Sequence, residues 1–311
     1  KGESKRRIHT TKLLALIAEQ KPNRMVLGLS GTVIVNSLTE GKALLELVTG
    51  EERDDLPTGT GLNQAMRMHQ ALMATGIRQR MENASTVHIY RPQIDASHLI
   101  DEVRLALHHT PRQRPLRLER VLIEARIPYV VKAIGDQPTV IASQYVEGFV
   151  GPLRDAITAA GYSVGVHTGQ EKFPVAGHND AIEAFKAGAI QVLIGSIQTI
   201  CTGIDGLQKV CSNMVIASQP WTSADYQQLM ARLARQHQRS SSVTVHIPTT
   251  FLEYYDNQEN QLMHWSFCEY RQGILDAKKR LMDAVMDGLM PPEALSDMTE
   301  AKVGKKLSTW L

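Results

Sequence analysis

The chain has 311 residues, 43% of them hydrophobic, which suits one large domain or two smaller ones and excludes a disordered protein. The formal net charge of +2 excludes nucleic-acid binding driven by overall charge, so any such affinity must come from local basic patches. The three cysteines are odd in number and lack C-x-x-C spacing, so we expect reduced thiols. No apolar run approaches the roughly 20 residues that span a bilayer.

The first third of the chain is predicted to be mainly helical. Residues 9–20 carry leucine, isoleucine and alanine at helical spacing, which predicts an amphipathic helix. The apolar run at 25–29 has the length of a buried strand and leads into a Ser-Gly-Thr turn. From Thr39 to about His109 the pattern is mostly helical, with a strand expected at 85–90.

An arginine-rich segment follows at 111–126. It contains five arginines against two glutamates, with prolines at its head. Two interpretations remain open for it, a solvated helix next to a linker or a set of phosphate contacts.

From Pro138 onward, short apolar and β-branched runs alternate with helical stretches. This alternation predicts right-handed crossovers and a parallel sheet covered by helices on both faces. In such sheets the loops at the carboxyl ends of the strands form the ligand crevice. After about Thr249 the pattern predicts helices again, packed as a pair over one edge of the domain. The expected strands are TVIAS, YSVGV, IQVLI, NMVIA and SVTVHI, and the expected helices are 148–160, 178–188 and 223–235.

The stretch 219–238 has the most distinctive residue pattern. Arg232 and Arg235 are three residues apart, so a helix would place both guanidinium groups on one face. Two fixed cationic forks suit a polyphosphate, although the same pattern alone also occurs on solvated helix faces.

Taken in order, several segments resemble motifs of the Swi/Snf-type DNA-dependent ATPases of helicase superfamily two. Their shared order makes the resemblance specific. The segments are Ser30-Gly31-Thr32 with Asn36 for motif III, 141–148 for motif IV, His167-Thr168-Gly169 for the next motif, 194–208 for motif V, and 220–238 for motif VI with Gln228, Arg232, Arg235 and Gln238.

The resemblance implies roles for individual residues. It makes Arg232 and Arg235 arginine fingers, which would meet charge developing on a transferred phosphoryl group. It assigns no metal ligand. The remaining implied roles are nucleotide binding by Gln228, Gly203 and Asp205, coupling by Ser30, Gly31 and Thr32, and nucleic-acid binding by Gln144, His167, Thr168, Gly169, Ser196, Thr199 and Trp221.

Some positions depart from the family pattern. Val33 replaces a usual proline, Ile200 and Cys201 replace glycines, Asp205 replaces asparagine and His237 replaces glycine. These departures remove no charge that the chemistry requires. They place the chain among divergent, bacterial members and predict a cytoplasmic, nucleoid-associated protein.

Two family features are absent from the sequence. There is no G-x-x-x-x-G-K-[ST] loop to cradle phosphates and no D-E-x-H box to hold magnesium. Since the chain begins at Lys1, we expect a fragment of a longer protein. The expected parts are the tail of the first RecA-like lobe with a helical insertion (1–110), the second RecA-like lobe (111–248) and a C-terminal helical extension (249–311).

The expected function follows from these parts. The parent would be an ATP-hydrolysing DNA helicase or translocase that uses ATP and magnesium, whereas the fragment would hold neither alone. Its partners would be duplex DNA and the missing first lobe, with no membrane. The alternatives are another superfamily-two motor, such as an RNA helicase or restriction translocase, and a non-catalytic helicase-like interaction module.

Overall fold

The computed structural model describes residues 5–21, 25–28, 34, 37–59, 61–77, 85–169, 180–202, 204–256 and 260–289. The chain divides into two compact units, of which the first comprises Lys1–Gln79 and Ala277–Asp297 and the second comprises Arg80–Asp276 and Met298–Leu311. Both domain boundaries expected from the sequence, at 110/111 and 248/249, fall inside the second unit.

The regular elements of the described residues are numbered here in chain order. The helices are α1 (Lys5–Gln20), α2 (Leu38–Thr49), α3 (Leu62–Thr75), α4 (Ile100–Leu107), α5 (Arg114–Ile134), α6 (Val150–Ala159), α7 (Ala181–Lys186), α8 (Ile197–Cys201), α9 (Ser223–Leu233) and α10 (Phe267–Asp287). The strands are β1 (Thr86–Tyr90), β2 (Gln93–Asp95), β3 (Thr139–Ser143), β4 (Val164–His167), β5 (Val192–Ser196), β6 (Asn213–Ile216), β7 (Ser242–His246), β8 (Thr249–Asp256) and β9 (Gln261–Trp265).

Six strands form a parallel sheet in the order β1-β7-β6-β3-β5-β4. Every residue of β3, β5 and β6 is buried, which fits strands covered on both faces and explains their continuous apolar sequences. The expected α/β fold, a RecA-like parallel sheet with helical segments toward both ends of the chain, is confirmed.

Successive side chains along each strand point to opposite faces of the sheet, so neighbouring residues pack in different clusters. Val140 and Ala142 of β3 pack in a cluster with α7, α8 and α9. Ile141, between them, packs in another cluster with α5 and α6. The helices therefore cover both faces, and the core of the second unit lies on either side of the sheet.

Two expectations for secondary structure are wrong. Residues 25–28 form no strand, and Met25 and Leu27 remain 89% and 74% exposed, since no described strand pairs with them. The segment after Thr249 forms β8 and β9, an antiparallel pair, before α10 begins. Its TTFLEYYD sequence is rich in β-branched and aromatic residues, which favour strands. Ser30, Gly31, Thr32 and Asn36 lie outside the described residues.

A buried charge cluster joins α5, α10 and the loop after β6. Glu119 accepts hydrogen bonds from Arg126 Nη1 at 3.0 Å and from Arg271 Nη1 at 3.1 Å, and all three side chains are at most 1% exposed. The same two guanidinium groups donate to the loop, Arg126 to the carbonyl of Ala217 at 2.7 Å and Arg271 to the carbonyl of Gln219. The cluster therefore fixes the loop 217–221 by directional hydrogen bonds. The two interpretations of 111–126 were a solvated helix and a set of phosphate contacts. Neither holds for Arg126, because its side chain is buried and pairs within the chain.

Burial would raise the pKa of Glu119, but the charges of Arg126 and Arg271 outweigh it and lower the pKa below its usual range. Because the pKa is lower in the folded chain, this ionised carboxylate stabilises the fold above the unfolded pKa of about 4.3. That stabilisation is lost as the pH falls from there through the folded pKa.

Replacing Glu119 by Gln leaves two buried guanidinium groups without their counter-charge. We expect the free energy of unfolding at pH 7 to fall by about 3–5 kcal/mol, measured by urea denaturation. Glu124→Gln, an exposed position on the same helix, is the control and should change it by less than about 0.5 kcal/mol. Equal losses in the two variants would contradict a stabilising cluster.

Candidate functional site

The carboxyl edge of the sheet carries most of the residues expected to bind nucleic acid. Ser143 of β3 pairs with Ser196 of β5, and His167 of β4 pairs with Gly195, so the three strands end side by side. The chain crosses from β5 to β6 on the other side of β3, which makes β3 a topological switch point. Ligands of open parallel sheets bind outside the carboxyl ends of strands at such points.

Hydrogen bonds tie the end of β4 to the start of α8. Thr199 Oγ1 donates to the carbonyl of His167 at 2.8 Å, and Ser196 Oγ caps α8 by accepting from Thr199 N at 3.2 Å. Gly169 has φ of +80°, and a Cβ there would lie 3.3 Å from the Thr199 methyl group. The hydroxyls of Ser196 and Thr199 therefore shape this loop from within the chain.

Directly after β3 and β4, two side-chain polar atoms make no hydrogen bond among the described residues. They are Oε1 of Gln144, directly after β3, and Oγ1 of Thr168, directly after β4. The Thr168 side chain is buried, with the residue only 7% exposed. Buried polar groups are usually paired, so these two atoms are exceptions that no hydrogen bond within the described residues accounts for.

Two interpretations were open for Trp221, contact with nucleic acid or a buried core position, and its surroundings are those of a core residue. The residue is 8% exposed, its Nε1 donates to Tyr145 Oη at 2.9 Å, and the Arg271 guanidinium lies 4.1 Å from its ring centroid. A cation over an indole face is a stabilising contact in a desolvated site. Trp221 therefore belongs to the core beside the buried charge cluster.

Arg232 and Arg235 do not share a helix face, because α9 ends at Leu233. Arg232 lies in the last turn of α9. Its Nη1 donates to the carbonyl of Ile204 at 3.0 Å, and its Nη2 donates to the carbonyl of Cys201. The guanidinium fork of Arg232 is thus engaged with the backbone that follows α8.

Arg235 is the more accessible of the two arginines. Its Nη1 lies 3.1 Å from Asp205 Oδ1, and the two side chains are 41% and 77% exposed. Both arginines therefore hold the same short loop, one by its backbone and one by its carboxylate. Gln228 is half-buried on α9, and Gly203 lies outside the described residues.

The thiol of Cys201 is buried at the end of α8. Burial, with a smaller contribution from Asp225, raises the pKa of its thiol to about 12 although Arg232 opposes the shift. At neutral pH the thiol is protonated and packs as a small apolar group.

Gln238 has a structural role. Its Nε2 donates to the carbonyls of Cys211 and Leu233, both at 3.0 Å, and its Oε1 accepts from Ser240 N at 3.0 Å. It closes the end of α9 onto the segment that enters β6. Neither this function nor the backbone contacts of Arg232 could be found from the sequence, because they depend on carbonyls distant along the chain.

Within the described ranges, no group of three or more His, Cys, Asp or Glu side chains could hold a metal ion. In the same part of the chain, no helix combines the length and apolar character needed to cross a membrane.

No protein-family model matches the chain, and no curated protein matches it in sequence. Among solved structures it is similar to the crystal structure of the C-terminal part of the Fun30 ATPase domain. That similarity has 13% sequence identity and a TM-score of 0.41, over 73% of this chain and 96% of the other. At this level the similarity supports no conclusion about function.

Arg232→Ala and Arg235→Ala form a matched pair of variants on one loop. We expect Arg232→Ala to lower the free energy of unfolding by about 1.5–3 kcal/mol, because it removes charged hydrogen bonds to two carbonyls. Arg235→Ala removes only an exposed ion pair and should cost less than about 1 kcal/mol. Urea denaturation of both variants measures the difference. A larger loss for Arg235→Ala would reverse the assigned roles.

Proposed function

We propose that the chain forms the C-terminal RecA-like lobe of an ATP-driven, Swi/Snf-like DNA motor. One observation carries this proposal. Three successive segments that resemble nucleic-acid motifs each include the turn after a strand, and the three strands are neighbours in the sheet. Gln144, the 167–169 turn and the 196–199 turn are far apart in sequence but follow β3, β4 and β5. The parallel sheet brings these turns together at its carboxyl edge, where ligands of such sheets bind.

The chemistry of this edge suits a nucleic-acid backbone. Its groups are the amide of Gln144, the hydroxyl of Thr168 and the backbone of tight turns, which would contact phosphate and sugar oxygens and not read bases. Gln144 can present its amide nitrogen as a donor to a phosphate. The proposed motor would therefore track DNA without sequence preference.

In the proposed motor, Arg235 is the arginine finger. Its guanidinium is partly exposed and pairs only with an exposed carboxylate among the described residues, so a phosphate could replace Asp205 at little cost. Arg232 instead positions the 201–205 loop through its two carbonyl contacts. Removal of an arginine finger costs about 10³–10⁵ in turnover.

Among the described residues, Arg235 could contact one phosphate of ATP, but no cluster of acidic side chains could hold magnesium. The phosphate cradle and the magnesium ligands would come from a first RecA-like lobe, in line with the absence of a glycine-lysine loop from the sequence. Bound ATP would supply the phosphoryl group whose transfer drives movement.

A non-catalytic interaction module is the second candidate, and the contacts of Arg232 favour it. Both carbonyl contacts are intramolecular and would persist if the chain never met a nucleotide. The test is to measure the ATPase rate of Arg235→Ala in a form of the protein that includes the first lobe. Its ATPase rate would fall in a motor and stay unaltered in a module.

Gln144→Ala tests the nucleic-acid edge. Because no hydrogen bond among the described residues depends on Oε1 of Gln144, the variant should keep its stability, and because it removes the proposed amide donor, its Kd for duplex DNA should rise several-fold. The measurement is fluorescence anisotropy with a labelled 20-bp duplex. Gln137→Ala, an exposed position before the other end of β3, is the matched control and should bind like the unmodified chain.

The same titration with an RNA duplex separates a DNA motor from an RNA helicase. Tighter binding of RNA would favour the RNA helicase. Absence of binding to both nucleic acids would refute the motor proposal.

Residues 1–311 alone should show no ATP turnover, with or without duplex DNA, because arginine contacts cannot replace the lysine loop and magnesium. A coupled phosphate-release assay measures the rate. Arg235→Ala controls for contamination, since a contaminating ATPase would be unaffected by it. DNA-stimulated turnover that disappears in Arg235→Ala would show that the chain hydrolyses ATP by itself.

A further inference from the structure

Helix α5 runs antiparallel to β3, so its two ends lie at opposite edges of the sheet. At its end, the carbonyl of Ala133 accepts from Asn213 Nδ2 at 2.9 Å, and Asn213 is the first residue of β6. Near its start, Arg120 Nε donates to the carbonyl of Glu147 at 3.2 Å, in the loop that follows β3. The arginine-rich start of α5 therefore lies at the same edge as Gln144.

The elbow between α4 and α5, residues 108–120, is strongly basic. Its only carboxylate, Glu119, is buried between Arg126 and Arg271 and adds no negative charge to the surface. Within the described part of the chain, neither Arg112 nor Arg117 has a carboxylate within ion-pair distance. The basic side chains of the elbow are His108, His109, Arg112, Arg114, Arg117 and Arg120.

The elbow is an ordered turn. Thr110 accepts backbone hydrogen bonds from Gln113 N at 2.8 Å and from Arg114 N at 3.1 Å. The Arg114 side chain donates from Nε to the carbonyl of Leu107 at 2.7 Å, which joins the end of α4 to the start of α5. A rigid backbone presents its cations with little further loss of conformational entropy on binding.

Arg120 connects the elbow to the proposed nucleic-acid edge. Its Nη2 lies 3.0 Å from Glu147 Oε1, and its Nε lies 2.7 Å from where a Cβ on Gly148 would be. Gly148 has φ of +80°, so the close approach and the backbone conformation both suit glycine at this position. The loop that begins with Gln144 is thereby held against the start of α5.

We infer that Arg112 and Arg117 each contact a phosphate of duplex DNA, continuing the track that starts at Gln144. This inference rests on the proposed function, because the adjoining edge is what favours DNA over an acidic peptide. The two arginines also supply positive charge, which the edge lacks. The amide and hydroxyl groups there are neutral, and the chain has a net charge of only +2. Cations are the groups that release counterions from DNA.

The test is the salt dependence of duplex DNA binding by the double variant Arg112→Gln, Arg117→Gln. Each lost phosphate contact lowers the slope of log K against log salt by about 0.9, so we expect a slope smaller by about 2 and a higher Kd at each salt concentration. The control, Lys132→Gln with Lys209→Gln, removes the same charge from exposed positions near the amino edge. Lys132 lies on α5 about 22 Å from Arg117 along the helix. Its slope should match that of the unmodified chain.

Three outcomes would overturn the inference, and they are distinguishable. If the two double variants show equal slopes while Gln144→Ala still weakens binding, the elbow is not a DNA contact and the proposed function stands. If the unmodified chain does not bind duplex DNA, the proposed function fails as well. If the elbow variant loses affinity for polyglutamate but keeps it for DNA, the elbow is a surface for acidic proteins. Circular dichroism of each variant checks that the fold is retained.

Discussion

A single buried carboxylate, Glu119, holds three separate parts of the second unit in register. It is the counter-charge shared by Arg126 and Arg271, and the same two guanidinium groups also donate to the carbonyls of Ala217 and Gln219. Removing these charges from water is costly, and well-packed apolar residues can stabilise a core equally well. The hydrogen bonds to the carbonyls of Ala217 and Gln219 are directional, so they fix the conformation of the loop that leads into α9.

The loop 217–221 leads into α9, which carries Arg232. The nucleic-acid edge and the segment that Arg232 contacts lie at the two ends of the short helix α8. Helix α8 begins at the Ser196 cap beside the nucleic-acid edge and ends at Cys201, whose carbonyl binds Arg232. Its five residues span only about 7.5 Å. In the proposed motor, a shift at either end of α8 would therefore be felt at the other, through a helix too short to bend.

The limits of sequence reasoning are clearest at the charged and aromatic residues. The sheet strands from Thr139 onward were expected from their apolar, β-branched runs, since burial on both faces demands such sequences. By contrast, Arg126 and Trp221 look like surface and binding residues until their partners are known. Arg126 donates to the carbonyl of Ala217, 91 residues away, and Trp221 donates to Tyr145, 76 residues away. No local pattern reports contacts of that range.

By itself, the sequence determined the parallel α/β class and the order of its strands and helices along the chain, because periodicity and β-branching act locally. It also determined which polar turns follow which strands. Only the tertiary structure decided that α9 ends before Arg235, that Arg232 is engaged with carbonyls and that the basic elbow adjoins Gln144. These outcomes depend on helix ends, buried charge pairing and the packing direction of α5, which are settled by contacts between distant segments.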